Sequence, residues 1–399
     1  MTFPTATHRP RTLVAGLLTA AGLGLTTLAA PAQADPAAAS FLEQLDIPAQ
    51  AVPPAAGDAH RFTYTTTGAQ DAPTTSSAAV YLPTGPAPEG GWPVLAWAHG
   101  TVGLNDVCAY STNGPGAVDR DWAYLGHWLD QGYAIVATDY AGLGTPGDHP
   151  YLNGKVEAHN VVDAVKAASG TYAELGDRWG VVGQSQGGGA AMITARYANE
   201  FGGSADGLSY RGAVATGVPA YIEELLPLVM RPLQDPAFPV EYRNPSPTLT
   251  TYLLYIVSGL RTSHPEWDVD SYLTPYGHDW VATAEGPVCD GDGGITDVIR
   301  DGNVQVGKLF SRPLEDIPGF RDALRDYMGV PESGYDAPVF MGQGALDTDV
   351  GPGAIALAGH LKANGEPVEF HLYPDQDHSG TVNTSLADSD PFVARIFAG

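Results

Sequence analysis

Gly183-Gln184-Ser185-Gln186-Gly187 stands between a short apolar run, residues 179–182, and a helix-prone stretch, 187–198. That setting constrains the chain more than any other feature. A tight strand-to-helix turn leaves no space for a Cβ two residues either side of its centre, because it would meet neighbouring backbone. The turn also puts the serine at a helix N-terminus, where partial positive charge collects. In a chain with 49 Gly such pentapeptides arise by chance, so the flanking strand and helix give this one its meaning.

The rest of the chain supplies the sheet that the turn requires. Residues 61–67 alternate in β-prone fashion, 68–73 turn, and 78–82 return, as an antiparallel pair at a sheet edge. Short apolar runs at 93–98, 133–138, 179–182 and 211–216 then alternate with helical periodicity at 121–131, 156–168 and 187–198. Such alternation predicts a mainly parallel sheet with helices on both faces, an α/β fold. The rhythm stops near 218 and resumes with the strand at 338–342, the helix at 354–361, the strand at 367–373 and a last helix at 388–397. Residues 59–218 and 337–399 therefore form one expected core, interrupted by a helical cap over 219–336. Residues 35–58 are expected to be a flexible lead-in with a short helix at 41–45.

The first 34 residues have the pattern of an export signal. His8, Arg9 and Arg11 precede an apolar run over 13–30, and Ala32-Gln33-Ala34 fits small-residue cleavage before Asp35. The run is long enough to span a bilayer, so a retained anchor is the competing reading. An exported chain with two cysteines, Cys108 and Cys289, is expected to join them in a disulfide.

With 45 Asp+Glu against 19 Lys+Arg, the formal net charge is −26. That excludes nucleic acid as a partner and charge-driven docking on anionic membrane. Only 16% of residues are charged and 44% are apolar, so the chain is a globular protein and not a disordered polyanion. A soluble, secreted monomer without a lasting membrane anchor is expected.

A serine hydroxyl needs a base, and the base an orienting acid. Of 11 histidines, His378 follows the last strand and can lean over the sheet toward Ser185. His99, in Ala98-His99-Gly100-Thr101, competes, but belongs to the loop expected to support an oxyanion; His371 lies within a strand. Asp347 follows the strand at 338–342, giving the order Ser185, Asp347, His378, with Asp349 two residues on as the alternative acid. The oxyanion donors expected are the N–H groups of Gln186 and Thr101. Asp290-Gly291-Asp292 looks like the start of a calcium loop but lacks the later ligand positions, so a polar turn is favoured. No metal or organic cofactor is expected.

Residues 93–103, 138–147 (Thr138-Asp139-Tyr140-Ala141-Gly142-Leu143-Gly144-Thr145-Pro146-Gly147), 149–152 and 183–188 resemble the secretory lipase family of actinobacteria and fungi, the Candida-type lipase A group of the α/β-hydrolases. The resemblance runs over residues 55–399 and implies a lipase or esterase fold with a helical cap before the triad acid. It maps nucleophile, acid and base onto Ser185, Asp347 and His378. Two departures stand out: Gln184, where His or Tyr is more usual, and a short span from Asp347 to His378 with little room for a flap. The expected activity is hydrolysis of acyl esters, glycerides or polyesters among them, through an acyl-enzyme. A peptidase or amidase on the same scaffold is the alternative, with Glu223 and Glu224 as groups for a substrate amine. Acyl transfer to a carbohydrate and a non-catalytic surface protein are further readings.

Overall fold

The computed structural model describes residues 39–398, so the leader and its cleavage site lie outside the described residues. Nine strands form one sheet: β1 (Phe41–Leu45), β2 (Asp58–Thr67), β3 (Pro73–Leu82), β4 (Trp92–Ala98), β5 (Ala134–Thr138), β6 (Leu175–Gln184), β7 (Ser209–Thr216), β8 (Val339–Gly344) and β9 (Val368–Tyr373). Their order is β1-β2-β3-β5-β4-β6-β7-β8-β9. β1, β2, β3 and β5 pair antiparallel in turn, and every pairing from β5 to β9 is parallel.

β1 corrects the expected helix at 41–45. The segment pairs with β2 as an edge strand, and Phe41 stacks on Phe62 with ring centroids 5.6 Å apart. Five residues form no stable helix alone, and pairing with an open edge overrides their weak local preference.

The α-helices in the first half of the chain are α1 (Tyr110–Asn113), α2 (Val118–Asp130), α3 (Gly154–Ser169) and α4 (Gln186–Tyr197). Strand residues sort between the faces with a period of two. Val94, Ala96 and Ala98 of β4 join the core under α3 and α4, while Leu95 and Trp97 join Leu125 and Trp128 of α2 on the other face. Burial on both faces explains why these strands are nearly continuous Val and Ala runs.

Between β7 and β8 lie α5 (Ile222–Val229), α6 (Pro247–Ser263), α7 (Pro275–Ala284), α8 (Ile295–Asp301) and α9 (Phe320–Met328). They enclose a second core around Leu254, Leu260, Phe310 and Leu324. Outside the named strands, the described residues of this layer hold one isolated bridge, Leu273 to Phe310. The chain ends with α10 (Gly353–Ala363), α11 (Gly380–Thr384) and α12 (Leu386–Ala398). No helix among the described residues is long and apolar enough to cross a membrane.

Candidate active site

β6 ends at Gln184 and α4 begins at Gln186, so Ser185 alone makes the turn, with φ 58° and ψ −122°. A non-glycine residue held there costs about 1–3 kcal/mol, which the surroundings must offset. Glycines make it possible. A Cβ on Gly183 would lie 2.0 Å from the Gly187 carbonyl oxygen, and one on Gly187 would lie 1.8 Å from that of Ala98. The motif is thus a steric requirement of the chain crossing under β4.

His378 stands in the loop between β9 and α11, and Asp347 in the loop after β8. The His378 Nδ1–H donates to Asp347 Oδ2 at 2.7 Å. Asp347 is held from its other sides: Oδ1 accepts from the N–H groups of Asp349 (2.9 Å) and Val350 (3.1 Å), and Oδ2 from Gln343 Nε2 (3.0 Å). Burial alone would raise the Asp347 pKa, but the His378 hydrogen bond and charge and the two backbone donors outweigh it, so the pKa is lowered. Asp349 is different. Its side chain borders the cleft, and burial raises its pKa. Gly217, with φ +58°, lies against the imidazole: a Cβ there would come within 2.6 Å of His378 Cε1.

With Nδ1 protonated toward Asp347, Nε2 of His378 carries a lone pair. Gln184 Nε2 lies 2.9 Å away and donates to it. Sequence reasoning noticed Gln184 as unusual but not this contact, which depends on the β9 loop folding back over β6.

On the opposite wall, Gly100, Thr101 and Val102 follow β4 and border the same cleft as Ser185 and His378. Thr101 Oγ1 bonds the Tyr151 hydroxyl at 2.7 Å. Gln186 is the first residue of α4, so its N–H has no partner one turn back in the helix. The Gln186 side chain points into a buried network that the sequence did not reveal. Its Nε2 donates to Glu157 Oε1 (2.7 Å) and lies 2.9 Å from His149 Nε2, while His149 Nδ1 donates to the Ala141 carbonyl (3.0 Å). Glu157 Oε1 also accepts from the Leu152 N–H at 3.1 Å. Burial pushes the Glu157 carboxyl up to about 8 and the His149 imidazole down to about 4. An acid on the apolar side of a helical pattern was the signal available in the sequence.

His99 is buried behind this wall, stacked on Tyr110 and with Nδ1 bonded to the Gly100 carbonyl at 2.7 Å; burial lowers its pKa to about 4. His371 lies in β9 with Glu369 and Asp388 beside it. Cys108 and Cys289 form a disulfide, and Asp290 N–H donates to the Val102 carbonyl at 2.9 Å, so the 289–290 segment is bound to the loop after β4. Among the described residues no group of three or more His, Cys, Asp or Glu is arranged to hold a metal ion. Glu223 and Glu224 line a separate groove with Lys155, Arg325 and Glu332, and they border neither cavity that Ser185 borders.

Ser185 sits where two cavities meet. One is a wide cleft of about 750 Å³, the other an apolar pocket of about 140 Å³ whose walls include Leu152, Ile222, Leu226, Leu253 and Ile256. A mainly parallel sheet clad on both faces, with a serine on the turn after a central strand and a carboxylate–histidine pair on later strand loops, defines the α/β-hydrolase class. Residues 115–229 match the family model described as Secretory lipase, and the chain is a carboxylic-ester hydrolase of lipase/esterase type.

Solved structures agree in fold. Candida antarctica lipase A in its closed state superposes with a TM-score of 0.72 at 19% identity, covering 91% of this chain and 83% of that one. The rice cell wall degrading esterase LipA from Xanthomonas oryzae gives 0.65 at 20% identity, covering 90% and 98%. A putative hydrolase from Legionella pneumophila gives 0.65 at 19%, covering 85% and 88%. No curated protein sequence matches the chain.

Proposed function

We propose that the protein is a secreted serine esterase that works through an acyl-enzyme, with Ser185 as nucleophile, His378 as base and Asp347 as the acid that orients it. The observation that carries this reading is the convergence of the strained Ser185 turn and the His378–Asp347 pair on one cleft. Secretion is supported by the leader pattern of residues 1–34 and by the family's description.

In the reaction, Gln184 releases His378 Nε2, which takes the proton of Ser185 as Oγ bonds to the ester carbonyl carbon. The N–H groups of Gln186 and Thr101 receive the oxyanion, each such donor contributing about 2.7–4 kcal/mol to the transition state. His378 returns the proton to the departing alcohol. Water then repeats the sequence on acyl-Ser185 and frees the acid. Asp347 stays ionised throughout, holding the tautomer that leaves Nε2 free. Glycerides and polyesters both present such acyl esters.

Ser185→Ala should lower turnover of p-nitrophenyl butyrate on the order of a millionfold while circular dichroism and melting stay near wild type. Ester turnover close to wild type by the folded variant overturns the mechanism.

A further inference from the structure

The two cavities at Ser185 differ in size and chemistry, and an ester has two unequal parts. The apolar pocket, about 140 Å³, is walled by Leu152, Pro219, Ile222, Leu226, Leu253 and Ile256. A dry aliphatic cavity of about this size accommodates a benzene-sized ligand of six carbons. The wide cleft is about five times larger and bordered by Asp119, Asp290, Asp292, Asp349 and Asn113. Its one cation, Arg120, is engaged by Asp121 at 2.6 Å. Asp290 Oδ2 accepts from Tyr255 at 3.0 Å, which leaves Oδ1 able to accept another donor.

From this asymmetry, and resting on the serine-esterase reading, we propose that the substrate joins a short acyl group of about six carbons to a large, uncharged, polyhydroxylated alcohol. The acyl chain enters the apolar pocket, and the sugar or polyol fills the cleft and donates its hydroxyls to the carboxylates. The chemistry of the walls selects among alternatives. Ionised acceptors bind hydroxyl donors strongly and repel an anionic leaving group. A quaternary ammonium favours a cage of Trp, Tyr or Phe faces, whereas Tyr252 is the one such residue bordering the cleft. A long alkyl chain would gain less here than in the apolar pocket, because Asp119, Asp121, Asp290, Asp292 and Asp349 interrupt the apolar surface of Val102, Pro115 and Val118. The net charge of −26 also sets the protein against anionic lipid surfaces. Hydrolysis places the hydroxyl of water on the acyl carbon and its proton on the alcohol, giving a carboxylic acid and the free polyol.

The test is kcat/KM of the purified full-length product on five esters, all dispersed in the same non-ionic detergent: 6-O-hexanoylglucose, cyclohexylmethyl hexanoate, 6-O-hexanoylgluconate, hexanoylcholine and 6-O-palmitoylglucose. The first should exceed each of the others by about tenfold or more, the range that pocket contacts of this kind supply. The double variant Asp119→Asn/Asp292→Asn, both exposed positions, should narrow the gap between the glucose and cyclohexylmethyl esters through KM. Equal or faster hydrolysis of the cyclohexylmethyl ester, or an unchanged gap in the double variant, overturns the polyol assignment. Fastest hydrolysis of hexanoylcholine replaces it with a cation. Fastest hydrolysis of the palmitoyl ester overturns the short acyl pocket. In each case activity lost in Ser185→Ala leaves the serine-esterase reading standing. Hydrolysis of none of them, or hydrolysis indifferent to Ser185→Ala, removes that reading and this proposal together.

Discussion

The surroundings of Ser185 have two halves made by different means. The half that belongs to the sheet is fixed by backbone sterics: Gly183, Gly187 and Gly217 stand where a Cβ would strike a carbonyl or the His378 ring. The half between β7 and β8 is made of side chains, with Tyr252, Leu253 and Ile256 of α6 facing Ile222 and Leu226 of α5 across the apolar pocket. Positions where an added Cβ would come within 3 Å of a neighbour allow almost no alternatives, whereas apolar packing tolerates substitution if volume is kept. The sheet half should therefore control whether the reaction occurs, and the helical half which acyl group enters. Changes in the two halves then have separable signatures: kcat for the first, KM and substrate preference for the second.

The sharpest break in this comparison comes within the sheet half. Asp347→Asn should reduce kcat/KM by about four orders of magnitude, because the amide favours the wrong imidazole tautomer. Asp349→Asn, two residues away on the cleft wall, should change it less than tenfold. Steady-state kinetics on p-nitrophenyl butyrate decide, and the opposite ranking moves the orienting acid to Asp349. Next in size is Gln184. Gln184→Glu puts a carboxylate against Nε2 of His378, which stabilises the imidazolium and disables the base. Activity at pH 7 should fall by about one to two orders of magnitude and recover partly as pH rises, with the acidic limb of the pH–rate profile displaced upward. A profile of unchanged midpoint denies Gln184 its contact with the base.

The same division explains what could be read in advance. The Ser185 turn, the parallel strands and the His378–Asp347 order are local or period-based, so one sequence exposes them. Edge strand β1 was not visible, because Phe41 becomes β-structure only when β2 is present to pair with it. The Gln184–His378 and Glu157–Gln186 contacts join residues 194 and 29 positions apart, and no periodicity encodes them. The apolar pocket is legible in part: residues 221–230 and 250–260 read as helical stretches apolar enough to line an acyl pocket, but its volume exists only once α5 and α6 pack over Ser185.

The disulfide crosses the boundary between the halves. Cys108 lies beyond the Thr101 loop and Cys289 within the helical layer, 181 residues apart. In the loop-entropy model a bridge of that span stabilises the fold by at most about 5 kcal/mol. The double Cys→Ser variant should melt several degrees lower. It should also lose about threefold to tenfold in kcat well below its melting range, since a loosened Thr101 loop misplaces an oxyanion donor. Unchanged kcat would make the bridge a staple of stability alone. Two free thiols in the native protein would deny the bridge.

The smallest effect separates stability from chemistry at the seam itself. Glu157 Oε1 accepts from the Leu152 N–H, beside the apolar pocket, and from the side-chain amide of Gln186, the residue after Ser185. Burial raises its pKa from 4.5 to about 8, so near neutrality the folded protein keeps it protonated while the unfolded chain ionises it. The folded state binds the extra proton between these values, and stability must decline as pH rises from about 4.5 to 8. Asp290 and Asp163, raised by burial to about 6, tilt the curve the same way. His99 and His149, lowered to about 4, tilt it the other way below pH 6.5. The Glu157 contribution is therefore isolated by difference. Glu157→Gln keeps a carbonyl oxygen for both N–H donors and has no proton to lose. Its melting temperature should exceed that of wild type by a few degrees at pH 8 and converge toward it at pH 5, on the order of 1–2 °C for each kcal/mol in a chain of this length. Parallel melting curves across that range would mean that Glu157 is ionised in the folded protein and that the Gln186 network carries a charge.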